Sequence, residues 1–243
     1  MIISLFRQGL SAQEIIYYLI IILFALTISF AFHEFMHAAV AVWLGDPTPR
    51  NMGRLTLNPL AHLDPMGTVL LLVAGFGWGK PVMYNPTNLH RFKSRRGMNI
   101  MVHLAGVTGN LFIAYIASIL SLLFGGLCVR FPGMTNVFMA LYEAFYYTYL
   151  FSMSLLAFNL LLIPPLDGFH VLEELLPYKF KASDGYRKFQ RVAPMILMVL
   201  FLASSFGSIP ILSLLLDYIK WPFEKLIDIL SVPFYMLFQL IGL

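Results

Sequence analysis

From Ile15 to Phe32 the chain carries no charged residue and is mostly Ile, Leu, Phe, Ala and Tyr. His33-Glu34-Phe35-Met36-His37 then interrupts it, before apolar residues resume from Ala38 to Leu44. A stretch of this kind reads as a membrane-crossing helix. A charged side chain at the centre of such a helix costs about 2.5–3.5 kcal/mol on insertion scales, so Glu34 has to be compensated.

Residues four apart in a helix lie about 40° apart around its axis and roughly 6 Å along it. His33 and His37 therefore point the same way and can hold one metal ion between two imidazoles. Glu34 lies about 100° round, close enough to act on a water at the metal without being a ligand. This is the H-E-x-x-H arrangement of zinc peptidases, in which the glutamate is the general base. The plainer alternative is three polar residues packed against neighbouring helices.

Composition points the same way. Of 243 residues 59% are hydrophobic and only 12% charged, with a mean hydropathy of +0.79. That is too apolar for a soluble domain and fits several spans in a lipid bilayer. The one cysteine, Cys128, excludes an intramolecular disulfide and any multi-cysteine zinc site. A formal charge of +4 does not indicate a nucleic-acid partner, and the basic residues fall in two interhelical loops. Arg7 precedes an apolar stretch too long for a signal peptide and without a small-residue cleavage site, so the first helix is expected to remain in the mature protein.

The expected fold is an all-α polytopic membrane protein, one domain over 1–243, with a bundle of about 4–6 transmembrane helices and a short re-entrant or β element after the first. The first span is expected at 13–44, stopped by Gly45-Asp46-Pro47. Residues 50–97 read as an excursion returning to its own side, with a short strand near Leu55 and Leu57 and a turn at Asn58-Pro59. Within it Thr68 to Trp78 is apolar but too short to span. Further spans are expected at 98–127, 136–163 and 193–217, the last weakened by Gly207-Ser208-Ile209-Pro210. Trp221 to Leu243 reads as a fifth span or an interfacial amphipathic helix. Lys80 to Arg96 and Asp167 to Arg191 are the two basic loops, and the positive-inside rule makes both cytoplasmic. His33, His37 and Asp167 then lie towards the cytoplasmic side.

A catalytic zinc usually has three protein ligands and an open position. The third could come from Asp46, His62, Asp64, His103, Glu143, Asp167, His170, Glu173 or Glu174. Asp167 has the strongest physical case. It follows Pro164-Pro165, which break an apolar helix, and precedes Gly168, so its carboxylate can be aimed back into the bundle. An ordinary turn at a helix end is the alternative.

The pentad at His33 to His37, together with Asn159-Leu160-Leu161-Leu162-Ile163-Pro164-Pro165-Leu166-Asp167-Gly168 ending a later helix, resembles the site-2 protease family of intramembrane zinc metalloproteases. Arg54 to Pro59, with His62 and Asp64-Pro65, then Trp78-Gly79-Lys80-Pro81-Val82 and Arg95-Arg96-Gly97-Met98, look like its compact prokaryotic members without a soluble insert. The resemblance covers roughly residues 20 to 175. It departs at Leu162 and Val107, where the family usually has proline. It implies one zinc per chain held by His33, His37 and Asp167, with Glu34 activating the water. It also implies that Asn159 holds substrate or the developing oxyanion.

The expected activity is therefore metal-assisted hydrolysis of peptide bonds within or next to transmembrane segments, on single-span membrane protein substrates (regulated intramembrane proteolysis). Two rivals use the same residues: an ion transporter, which would favour inverted repeats and more ionisable residues in the spans, and a zinc-binding pseudo-enzyme, which the intact Glu34 argues against.

Overall fold

The computed structural model describes residues 9–74, 77–206 and 211–243, and their regular structure is helical. Helix α1, Ala12–Trp43, is 32 residues long, about 48 Å at the ordinary helical rise. Ser11 Oγ accepts the Glu14 N–H while Glu14 Oε2 accepts the Ser11 N–H. That reciprocal cap satisfies two donors at the helix start. Helix α4, Arg95–Arg130, begins with one half of such a cap, Ser94 Oγ accepting the Gly97 N–H. Both helices are long and apolar enough to cross a membrane.

Helix α5, Thr135–Asn159, returns along α4 after a single 3-10 turn at Pro132–Met134, and α1 packs against both. The α1–α5 contact is built on small buried hydroxyls. Ser152 donates to Ser29 Oγ at 2.8 Å, and Ser29 donates to Ala25 O at 2.8 Å. Small residues of this kind let helices approach closely in a bundle.

Between α1 and α4 the chain makes its excursion, through α2 (Thr48–Asn51) and α3 (Pro65–Ala74). It ends where it began. Asp46, fully buried just past α1, accepts hydrogen bonds from the Thr48 N–H and Oγ1, the Asn85 N–H and Asn88 Nδ2. His90 N–H reaches Leu44 O at 3.1 Å. Ala41, Leu44, Leu89, Met98 and Val102 close the apolar joint beneath.

The strand expected near Leu55 and Leu57 does not form. His62 Nε2 bonds Thr56 O, Thr56 Oγ1 accepts the Asn58 N–H, and Asn58 Oδ1 caps Leu60. Side chains take the backbone groups a strand would share, and Pro59 has no N–H to give. Strand-like pairing lies later: among the described residues one antiparallel bridge joins Leu63 to Gly79, in the segment 77–84, and the Lys80 N–H donates to His62 O at 2.8 Å.

Two further boundaries differ from expectation. Helix α5 stops at Asn159 rather than near Ile163, and residues 160–166 turn back so that α6 (Asp167–Leu175) leans on α4. Asn99 Nδ2 donates to Glu174 Oε1 at 2.9 Å across that contact. After α7 (Tyr178–Lys181), α8 runs Asp184–Phe206 and α9 runs Ile211–Leu240. The expected segment 193–217 is thus divided between two helices. Pro222 does not end α9, whose polar stretch is carried by i,i+3 ion pairs at Asp217–Lys220 and Lys225–Asp228. The break expected at 207–210 lies outside the described residues.

Candidate metal centre

Helical spacing on α1 puts His33 and His37 on one face, with Nε2 atoms 3.1 Å apart and rings edge to face. Asp167, first residue of α6, brings Oδ2 to 3.3 Å from each Nε2. All three are largely buried. Among the described residues these three alone form a group able to hold a metal ion.

The spacing suits a metal. A tetrahedron with bonds of about 2.0–2.1 Å has edges of about 3.3 Å, and the three donor atoms sit 3.1–3.3 Å apart. Asp167 Oδ2 is buried without a hydrogen-bond partner, so a carboxylate oxygen is aimed into a space its neighbours leave unsatisfied. The other ring nitrogens turn away towards α4. His37 Nδ1 lies 2.7 Å from Val102 O, and His33 Nδ1 lies 3.1 Å from Asn110 Nδ2.

Gly106 on α4 makes this approach possible. A Cβ there would sit 2.3 Å from His37 Nε2 and 2.4 Å from His33 Cε1. The absence of a side chain is what lets α4 lie against the imidazoles.

The three groups open on a cleft of about 450 Å³, whose walls include Glu34, Val82, Tyr84, His103, Asn159 and His170. Glu34 is almost fully buried, and its Oε2 accepts the Val82 N–H at 3.2 Å. Asn159, at the end of α5, also faces the cleft, and its Nδ2 donates to Leu155 O at 2.9 Å. Tyr84 OH lies 3.1 Å from His103 Nε2. Burial, and then the negative charges of Glu174, Asp167 and Asp46, push the Tyr84 phenol up to about 12.

The remaining candidates for a third ligand are engaged elsewhere. Asp46 clasps the excursion, His62 bonds Thr56 O, and Asp64 caps the start of α3 through the Gly67 N–H. His103 and His170 stack at 5.0 Å, His170 bonds Glu173, and Glu174 takes Asn99, while Glu143 is not among the residues that converge on the histidine pair. Sequence reading assigned no site role to Val82, Gly106 or Asn110. The last two carry a signal: they stand four residues apart, so a glycine and a lone amide share one face of an apolar helix.

Comparison with curated proteins agrees with the site. The chain is 41% identical to YwhC of Bacillus subtilis (strain 168), named as a candidate zinc metalloprotease, over 159 residues, which is 65% of this chain and 70% of the relative. It is 32% identical to Rip2 of Mycobacterium tuberculosis (strain ATCC 25618 / H37Rv), named in the same terms, over 72% of this chain and 64% of the relative. A Rip2 of Mycolicibacterium smegmatis matches at 32% over 60% of this chain and 53% of its own. No family model and no solved structure matches the chain.

Proposed function

Since the chain belongs to the site-2 protease family of zinc metalloproteases, we propose that it hydrolyses peptide bonds within or next to transmembrane segments of single-span membrane proteins. The observation that carries this is the convergence of His33, His37 and Asp167 on one point, with Glu34 in the same cleft. These three side chains hold one zinc ion per chain. Bound there, zinc supplies a Lewis acid that brings the pKa of water towards 7 and polarises a carbonyl.

The protein's own residues do the rest. Glu34 takes the proton of the attacking water and returns it to the leaving amine. The Val82 N–H holds the Glu34 carboxylate in place. Asn159 has a second amide N–H beyond the one given to Leu155, and it donates this to the developing oxyanion. Burial of the site excludes bulk water from the reacting groups, which strengthens each of these interactions.

The chain crosses the membrane as a bundle of about 4–6 helices, with the cleft towards the cytoplasm. A helical substrate satisfies its own backbone hydrogen bonds, so its segment must unwind before the carbonyl can be reached. Substrates with Gly, Asn or Pro near the cleavage point, on the cytoplasmic side of their span, are therefore preferred. Purified full-length protein reconstituted in vesicles with a tagged single-span substrate tests the reading. Cleavage by wild type, none by Glu34→Gln, and equal zinc in both is the expected result. Cleavage by Glu34→Gln at the wild-type rate would defeat it.

A further inference from the structure

We propose that Asn110 is a positioning residue, whose side-chain carbonyl accepts the Nδ1 proton of His33 and so fixes the tautomer that leaves Nε2 free for zinc. This rests on the metal reading of His33, His37 and Asp167.

Both Nε2 atoms converge on Asp167 Oδ2, while both Nδ1 atoms face α4. A neutral imidazole carries one proton, and a ring that ligates through Nε2 must carry it on Nδ1. That N–H then needs an acceptor inside the bundle. For His37 the acceptor is the backbone carbonyl of Val102 at 2.7 Å. For His33 the facing group is the Asn110 amide, at 3.1 Å through the atom assigned as Nδ2. Oxygen and nitrogen of an amide are told apart only by their partners. An NH2 group facing an Nδ1–H would set donor against donor. Asn110 is fully buried and its Oδ1 has no partner. Turning the amide about its axis brings that carbonyl to the imidazole and satisfies the His33 N–H.

The register of α4 makes the pair of acceptors a single device. Val102, Gly106 and Asn110 follow one another at four-residue spacing along one face. Val102 serves His37, Gly106 gives the imidazoles room, and Asn110 serves His33. The two acceptors differ in kind. The Val102 carbonyl survives any side-chain substitution, whereas the His33 acceptor is lost with one amide.

The test compares zinc dissociation constants of full-length wild type, Asn110→Leu and Asn110→Asp, by competition with a chromophoric chelator, beside thermal unfolding of the metal-free proteins. Asn110→Leu keeps the approximate volume and removes the acceptor, and is expected to weaken zinc 10–100-fold, the usual effect of losing a partner that orients a ligand. Asn110→Asp keeps acceptors and removes the donor, and is expected to hold zinc at least as tightly as wild type. The metal-free unfolding temperatures do not follow this order, which separates positioning from a loss of packing. Unchanged zinc affinity in Asn110→Leu, or a tenfold loss in Asn110→Asp, overturns the proposal. The second criterion applies even where Asn110→Leu fails to fold. Wild type that takes up no zinc would overturn the metal reading itself, and this inference with it.

Discussion

The backbone N–H of Val82 donates to Oε2 of Glu34 at 3.2 Å, joining residues 48 positions apart. Val82 belongs to the segment 77–84, which is tied near one end by the bridge from Gly79 to Leu63 and just past the other by the Asn85 N–H on Asp46. The proposed base is thus oriented by a segment outside its own helix. Val82→Pro removes this one donor. A hydrogen bond to a charged group is worth about 1.5–3 kcal/mol, so the cleavage rate should fall by roughly tenfold or more while zinc content stays at the wild-type level. Initial rates beside metal analysis check this.

Asp167 supplies one of three converging donor atoms and makes no other hydrogen bond through Oδ2. Asp167→Ala should lower zinc affinity by at least about 100-fold, the upper end of what the loss of an indirect partner costs. Equilibrium dialysis reads this directly. Stoichiometric zinc at unchanged affinity would move the third-ligand role to another residue of the cleft.

Gly106→Ala would place a methyl group 2.3 Å from His37 Nε2. The neighbour is an imidazole held by Val102 O, so the helices must separate or the ring must turn. Overpacking of this kind typically costs 1–3 kcal/mol. The expected outcome is lowered thermal stability together with lost zinc. Wild-type zinc stoichiometry in Gly106→Ala would show that α4 does not press on the imidazoles.

Asp46 gives a pH dependence whose sign is fixed by its neighbours. Burial raises its carboxyl, and hydrogen bonds from Asn88, Thr48 and Asn85 more than offset this, holding it below its ordinary 3.8. A depressed value in the folded state means stability that is present above pH 3.8 and lost as pH falls through the depressed value. Asp46→Asn should be less stable than wild type at pH 7, by on the order of 2 kcal/mol. The gap should close as pH falls through that depressed value. Unfolding in detergent micelles at pH 7 and along an acid titration checks both statements.

The proposed topology places Ser94 and Ser183 on the cytoplasmic side and Gly133, in the turn between α4 and α5, on the other. In a background with Cys128 replaced by serine, Gly133→Cys should react with an impermeant thiol reagent added outside intact cells. Ser94→Cys and Ser183→Cys should not. Labelling at Ser94 with Ser183 shielded would mean that residues 68–78 cross the membrane.

What the sequence determined by itself is what short-range periodicity fixes. Four residues between His33 and His37 bring both imidazoles to one face of a helix wherever that helix lies. Uncharged runs at 15–32 and 98–127 become helices because apolar chain has no other way to satisfy its backbone in lipid. The proline pair and Gly168 marked Asp167 as a carboxylate at a helix break. Tertiary structure decided the rest. Whether Asp167 reaches the histidines depends on how residues 160–166 turn and how α6 leans on α4, a contact spanning 75 residues at Asn99 and Glu174. The bridge forms at Gly79 rather than near Leu55 because His62 and Asn58 claim the earlier backbone groups. The role proposed for Val82 has no local signature, and the spacing of Gly106 and Asn110 marks a face of α4 without saying what that face meets. Each contact exists only because two distant segments were packed until a backbone N–H met Glu34 and an amide met His33, and packing of that kind is set by the sum of all contacts rather than by any residue's neighbours in the chain.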